Sequence, residues 1–138
     1  MRFGMNGIYS TCQSTVPRYT VIIRKCYGMA GALNYNNASL CYRMSWPSGE
    51  YGSIPIEGGV AASFRREIEN SPNPEEKLRE IEAQLKQFES PFRTAEKFGV
   101  EDIIDPRETR SRLCALISVS QHYLKTELGM KPRYGVRP

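Results

Sequence analysis

Residues 19–23, Tyr19-Thr20-Val21-Ile22-Ile23, are apolar or β-branched at every position. A strand with one wet side alternates polar and apolar residues. This run therefore predicts a short strand buried on both faces, as in a parallel sheet. Before it, Phe3, Ile8, Tyr9, Cys12 and Val16 carry apolar side chains, the later ones at helical spacing. Gly4 and Gly7 weaken the start of that helix. After the strand, Arg24-Lys25 ends the run, and Gly28 and Gly31 in YGMAGAL mark a turn or a close-packed segment.

Downstream, Leu40, Tyr42, Met44 and Trp46 alternate with Ser39, Cys41, Arg43 and Ser45, which predicts a strand with one buried face stopped by Pro47. Residues 48–59 hold four glycines and read as a turn, a short extended piece and a Gly-Gly bend. From Val60, the residues Ala61, Phe64 and Ile68 recur at helical spacing, so the glycines stand at a helix entrance. Asn70–Pro74 is a linker in which Asn73 can cap a helix, with Pro74 at its first position and Glu76 completing a capping box. Leu78, Ile81, Leu85 and Phe88 form its apolar stripe, and Ser90-Pro91 ends it. Asp105-Pro106-Arg107-Glu108 repeats the entrance signal, followed by an apolar face of Leu113, Leu116, Ile117 and Leu124. The chain thus reads as α/β: strands early, helices late, residues 1–128 forming part of one domain and 129–138 a tail. An isolated pair of strands is marginal, and three or more with a buried face are needed for stability, so further sheet is expected to complete the domain.

The chain has 138 residues, is 40% apolar and 25% charged, and carries a formal charge of +4. These values fit an ordinary globular protein. Its apolar runs are a few residues long, too short to span a bilayer, and the N-terminus lacks the apolar core of a secretory signal. A cytoplasmic location is the expectation. The basic residues are interspersed with acidic ones rather than gathered on a face, which argues against nucleic-acid binding. Cys12, Cys26, Cys41 and Cys114 include no C-x-x-C pair, and His122 is the sole histidine, so a zinc site is poorly supplied and the thiols read as small apolar residues.

Gly58-Gly59 is the candidate site. A helix start presents unpaired backbone N–H groups and the positive end of the dipole, and glycine lets a ligand oxygen approach them closely. Such a bend can act as an oxyanion hole, in which one well-aimed donor is worth about 3 kcal/mol. The same pair also serves plain turn geometry and packing. His122 has no nucleophile at a recognisable spacing. Glu75, Glu76, Glu80 and Glu82 read as a solvated helix face, Arg107 and Arg110 as partners of Asp105 or Glu108, and Trp46 as a core anchor.

Taken in order, RYTVIIRKCYG (18–28), SWPSGEYGSIPIEGGVAASFRREI (45–68) and SPFRTAEKFGVEDIIDPRETR (90–110) resemble the C-terminal half of the carboxyltransferase subunit of biotin-dependent acyl-CoA carboxylases. Propionyl-CoA carboxylase β subunits and methylmalonyl-CoA decarboxylase α subunits share these segments. DPRETR is the most specific part. The resemblance implies a partial crotonase-like domain, a layered spiral of β-β-α units, within a ring-shaped, hexameric homo-oligomer. It implies transfer of a carboxyl group from carboxybiotin, carried by a biotin carrier and loaded by a biotin carboxylase, to an acyl-CoA. Gly58 and Gly59 would supply the backbone oxyanion hole for the biotin ureido oxygen, with Ala61 in the same contact. No metal is implied, and no membrane partner except in the decarboxylase type.

Pro55 and Ile56 stand where relatives have small residues, Gly59 stands where alanine is common, and YGMAGAL departs from the family's segment. These departures bear on which acyl group is used. The acyl-CoA domain of the family has no counterpart in the chain, so the chain alone is expected to be unstable and inactive. A decarboxylase piece and a non-catalytic interaction module are the alternatives.

Overall fold

The computed structural model describes residues 2–28, 31 and 40–127. Helix α1 (Arg2–Gln13) leads into strand β1 (Arg18–Ile22), then β2 (Lys25–Tyr27), β3 (Cys41–Ser45) and β4 (Glu50–Gly52). Helices α2 (Ile56–Ser63), α3 (Arg65–Glu69), α4 (Pro74–Lys86) and α5 (Pro91–Glu96) follow. Strand β5 (Asp102–Ile103), a 3-10 turn (Pro106–Glu108) and helix α6 (Thr109–Glu127) complete the described chain.

Among the described residues every strand pair is parallel. One sheet has the order β1-β3-β5, with Arg18 opposite Cys41, Ile22 opposite Ser45 and Met44 opposite Asp102. The other pairs β2 with β4, Cys26 lying opposite Tyr51. The path from β1 to β2 is thus repeated, one layer on, by the path from β3 to β4. Trp46 N donates to Ile22 O and Glu50 N to Arg24 O, so the layers stay in register through the bend between sheets. Parallel pairing needs a crossover connection, and between β3 and β5 the helices α2 to α5 supply it.

The expectation of a parallel sheet holds, but not the burial pattern. Along β1 only Ile22 is buried, and Ile23 is 54% exposed, outside the strand. Among the described residues β1 is an edge strand with β3 on one side. The central strand is β3, and there the one-faced reading fails in the other direction: Met44 and Ser45, on opposite faces, are both fully buried. Ser45 is tolerated inside because its hydroxyl donates to Trp46 O at 2.9 Å. Strands β2, β4 and β5 are two or three residues long, too short to display a period.

Asn73 caps α4 as expected, its Oδ1 accepting from Glu76 N at 3.4 Å with Pro74 in the first turn. Glu76 reaches back to the Asn73 amide, at 3.1 Å, instead of to its backbone N–H. Helix α4 stops at Lys86, ahead of Ser90-Pro91, and Pro91 opens a new helix, α5. Asp105 accepts from Arg107 N at 2.8 Å and so caps a 3-10 turn, from which α6 continues. On α6, Leu113, Leu116 and Leu124 are half-buried and Ser120 is buried, whereas Ile117 is 49% exposed. Contacts that dock the helix include Tyr19 Oη donating to Leu116 O at 2.8 Å, Trp46 Nε1 donating to Thr109 Oγ1 at 3.0 Å, and the Arg112–Asp102 ion pair at 3.5 Å. Ile22, Met44, Val60, Ile81, Val100 and Ile104 form the buried core. The predicted tail, 129–138, lies outside the described residues.

Candidate active site at the glycine bend

Helix α2 starts irregularly. Pro55 is extended, Glu57 has φ −62° and ψ 109°, and Gly58 has φ +77°. Regular helix begins after Gly58. A left-handed φ is costly for any residue with a Cβ, so glycine at 58 answers a backbone requirement. Space does not demand it, because a Cβ there would meet nothing within 4 Å. At Gly59 the reason is proximity: a Cβ would lie 3.3 Å from Pro55 Cδ. The entrance is one turn earlier and more kinked than the apolar period from Val60 suggests.

Val60 is fully buried and anchors the turn, while Gly58 and Ala61 are exposed and Gly59 half-buried. No side chain caps the start of α2 at Pro55. The first N–H groups of a helix have no partner within it, so this is a solvent-facing start able to take an oxygen ligand. The bend borders a cleft of about 540 Å³ whose walls are Pro55–Glu57, the β2–β4 sheet and one side of α4. Lys25 Nζ lies 3.5 Å from Glu57 Oε2, an exposed pair of little energetic weight.

Inside the cleft, Tyr27 Oη donates to Glu89 Oε1 at 2.7 Å, with Glu50 Oε2 at 3.3 Å. Burial first, then the Glu89 and Glu50 carboxylates, hold the phenol well above its ordinary value, so Tyr27 is a proton donor throughout the physiological range. Sequence reading missed this cluster, whose members lie 23 and 62 positions apart. No local motif announces it.

The other candidates lie apart from the bend. His122 is exposed on α6. Arg107 pairs with Asp105 at 2.7 Å, as expected, and draws that carboxyl below its ordinary value. Arg110 is exposed at the start of α6. Glu75, Glu76 and Glu80 are solvated, as expected, whereas Glu82 is half-buried and lines the cleft. The four cysteines form no disulfide, and among the described residues no cluster of three or more His, Cys, Asp or Glu could hold a metal. Nor is any helix among them long and apolar enough to cross a membrane.

The candidate site therefore joins an exposed backbone bend to a cleft. The sequence model of the carboxyl transferase domain family matches residues 1–133. The methylmalonyl-CoA carboxyltransferase 12S subunit of Propionibacterium freudenreichii subsp. shermanii is 31% identical over 123 residues, covering 86% of this chain and 23% of that protein. The propionyl-CoA carboxylase carboxyltransferase subunit of Haloferax mediterranei is 34% identical over 119 residues, covering 83% of this chain and 23% of that one. Among solved structures, the transcarboxylase 12S hexamer with methylmalonyl-coenzyme A and methylmalonic acid bound superposes with a TM-score of 0.70 at 28% identity. That match covers 99% of this chain and 26% of the other. The chain spans about a quarter of the length of these relatives. The architecture is crotonase-like, as the resemblance implied.

Proposed function

The chain belongs to the carboxyl transferase domain family, and from that premise we propose that it forms the carboxybiotin-facing part of an acyl-CoA carboxyltransferase. The observation that carries this reading is the start of α2, uncapped by any side chain at Pro55 and turned by the left-handed φ of Gly58. A ureido oxygen is a neutral acceptor that becomes anionic when the N-carboxylate leaves as carbon dioxide and the electrons of the broken N–C bond stay on the ring. Preorganised N–H groups at a helix start bind the second form more strongly than the first, which is the differential binding that lowers a barrier. Carboxybiotin supplies the carboxyl group and, afterwards, a basic ring nitrogen.

The residues of this chain hold and orient. Gly58 turns the backbone at the helix entrance through its left-handed φ. Gly59 keeps the approach clear of a side chain, and Val60 anchors the turn in the core. Ala61, small and exposed, completes the contact surface. The proposed domain covers residues 1–128, as the C-terminal portion of a carboxyltransferase domain. The acyl-CoA would be presented by a second domain, and the biotin by a carrier served by a biotin carboxylase. Assembly as a homo-oligomeric ring and a cytoplasmic location complete the proposal.

The test is Gly59→Val in the chain assembled with its acyl-CoA-binding partner domain, assayed for carboxyl transfer from carboxybiotin. The expected result is a kcat loss of about a hundredfold, the scale of one lost oxyanion donor, with acyl-CoA affinity unchanged. An unchanged kcat would overturn the assignment of the bend.

A further inference from the structure

The cleft beside the glycine bend has a wall that this reaction does not use. Arg79, Glu82 and Lys86 of α4 face the same space. Glu82 stands three residues after Arg79 and four before Lys86, the spacings at which helical ion pairs form. Neither pair closes, and among the described residues Arg79 and Lys86 have no carboxylate at ion-pair distance. Two helical turns separate the cations, about 10.5 Å along the axis.

The opposite wall carries Glu50 and Glu89, and the lysine on that side, Lys25, is paired with Glu57 at 3.5 Å. Glu89 is half-buried, and the side-chain donor it receives is the Tyr27 hydroxyl. Glu50 is approached from outside the cleft by Arg24, at 3.6 Å. Because burial and the two carboxylates keep the phenol protonated, Tyr27 fixes Glu89 in place without neutralising it.

We propose that this cleft binds a small zwitterion, its carboxylate held by Arg79 and Lys86 and its ammonium group by Glu89 and Glu50. A simple anion would gain at α4 and be repelled across the cleft, and a simple cation would meet the reverse. A guanidinium fork is matched to a carboxylate, and charge-assisted hydrogen bonds are the strong ones. A space of about 540 Å³ accommodates a short zwitterion with water beside it. The proposal does not depend on what Gly58 and Gly59 hold.

Isothermal titration of the chain with 6-aminohexanoate, hexanoate and hexylamine separates the contributions. The zwitterion should bind about tenfold or more tightly than either single-charge analogue, the scale of one charge-assisted hydrogen bond. Arg79→Gln, at an exposed helix position where folding is insensitive, should bring 6-aminohexanoate to the affinity of hexylamine, and Arg79→Lys should restore part of the difference. Glu89→Gln should bring it to the affinity of hexanoate. Equal binding of hexanoate and 6-aminohexanoate, an unchanged affinity in Arg79→Gln, or no binding of any probe would each overturn the proposal.

Discussion

The Tyr27 hydroxyl donates to Glu89 Oε1 across 2.7 Å, tying the second strand of the chain to the segment that follows α4. Tyr51 N donates to Glu89 O at 3.0 Å, so the same residue is held by both strands of the smaller sheet. Glu89 thereby fixes the distance between that sheet and α4, and with it the width of the cleft.

Tyr27→Phe removes this link and leaves Glu89 in contact with water. The expected loss is about 1 kcal/mol, at the low end for a hydrogen bond to a charged group because water replaces part of it. The pH dependence has a definite sign. The folded-state pKa of Tyr27 is raised above the ordinary phenol value of 10.0. Its contribution is therefore full below pH 10 and declines as pH rises from there toward the folded-state value. Denaturant unfolding between pH 8 and pH 11 should show this alkaline decline in the native chain and a shallower one in Tyr27→Phe.

Asn73→Ala should destabilise the chain by about 1 kcal/mol, since it removes the acceptor for Glu76 N at the start of α4. Asn73→Ser, which keeps an acceptor, should recover most of that loss. Urea unfolding monitored by circular dichroism gives both values. A loss in Asn73→Ala within error of zero would show that the cap contributes nothing.

Phe98 has φ +55° and is 87% exposed. It occupies the left-handed position of a Schellman ending to α5, in which Gly99 N donates to Thr94 O at 2.8 Å and Phe98 N to Ala95 O at 2.9 Å. Arg43, held by Glu101 at 2.8 Å, steadies the turn by donating to Phe98 O at 3.2 Å. Glycine is favoured at that position and here comes one residue later. Phe98→Gly should raise stability by about 0.5–1 kcal/mol, the left-handed strain relieved less the added entropy of glycine in the unfolded chain. Gly99→Ala should lower it, because a Cβ would lie 2.5 Å from Thr94 Cγ2 and 3.0 Å from Thr94 O. Thermal unfolding of the two variants should therefore shift in opposite directions.

What could be read from the sequence follows the range of the interaction. The cap at Asn73 and the glycine-led entrance to α2 depend on residues a few positions apart, and both were legible. Strand β1 was legible as part of a parallel sheet, since Thr20-Val21-Ile22 records its environment. Its burial was not, because that depends on which neighbours lie beside it. Asp102-Ile103 is too short to carry a period, and Phe98 hides a helix ending under a residue that disfavours it. Gly58 was legible as a turn in the backbone, and the structure gives it φ +77°. The cleft beside it is assembled from β2, β4 and α4 and left no local signal. Family resemblance reached the fold and the family where periodicity could not.

Gly49 provides the sharpest test of packing at the centre of the fold. It follows the turn after β3, and Gly49 N donates to Trp46 O at 2.9 Å. A Cβ at this position would come closer to Ser45 Oγ than any real Cβ contact allows, with Tyr51 Cε2 at 3.1 Å and Trp46 O at 3.2 Å. Ser45 is fully buried on the central strand, and its hydroxyl is committed to Trp46 O, so it has no room to retreat. Gly49→Ala should therefore lower stability by about 1–3 kcal/mol, the usual scale for overpacking a filled interior. If the clash with Ser45 is the cause, removing the hydroxyl should relieve it. Ser45→Ala deletes the clashing oxygen together with the hydrogen bond it makes, and by itself should also be destabilising. Combined with Gly49→Ala, it should cost about 1 kcal/mol less than the sum of the two single changes, because the residues touch. Denaturant unfolding of the four proteins in this cycle measures that coupling. Strict additivity would assign the constraint at Gly49 to Tyr51 or to the Trp46 carbonyl instead of Ser45.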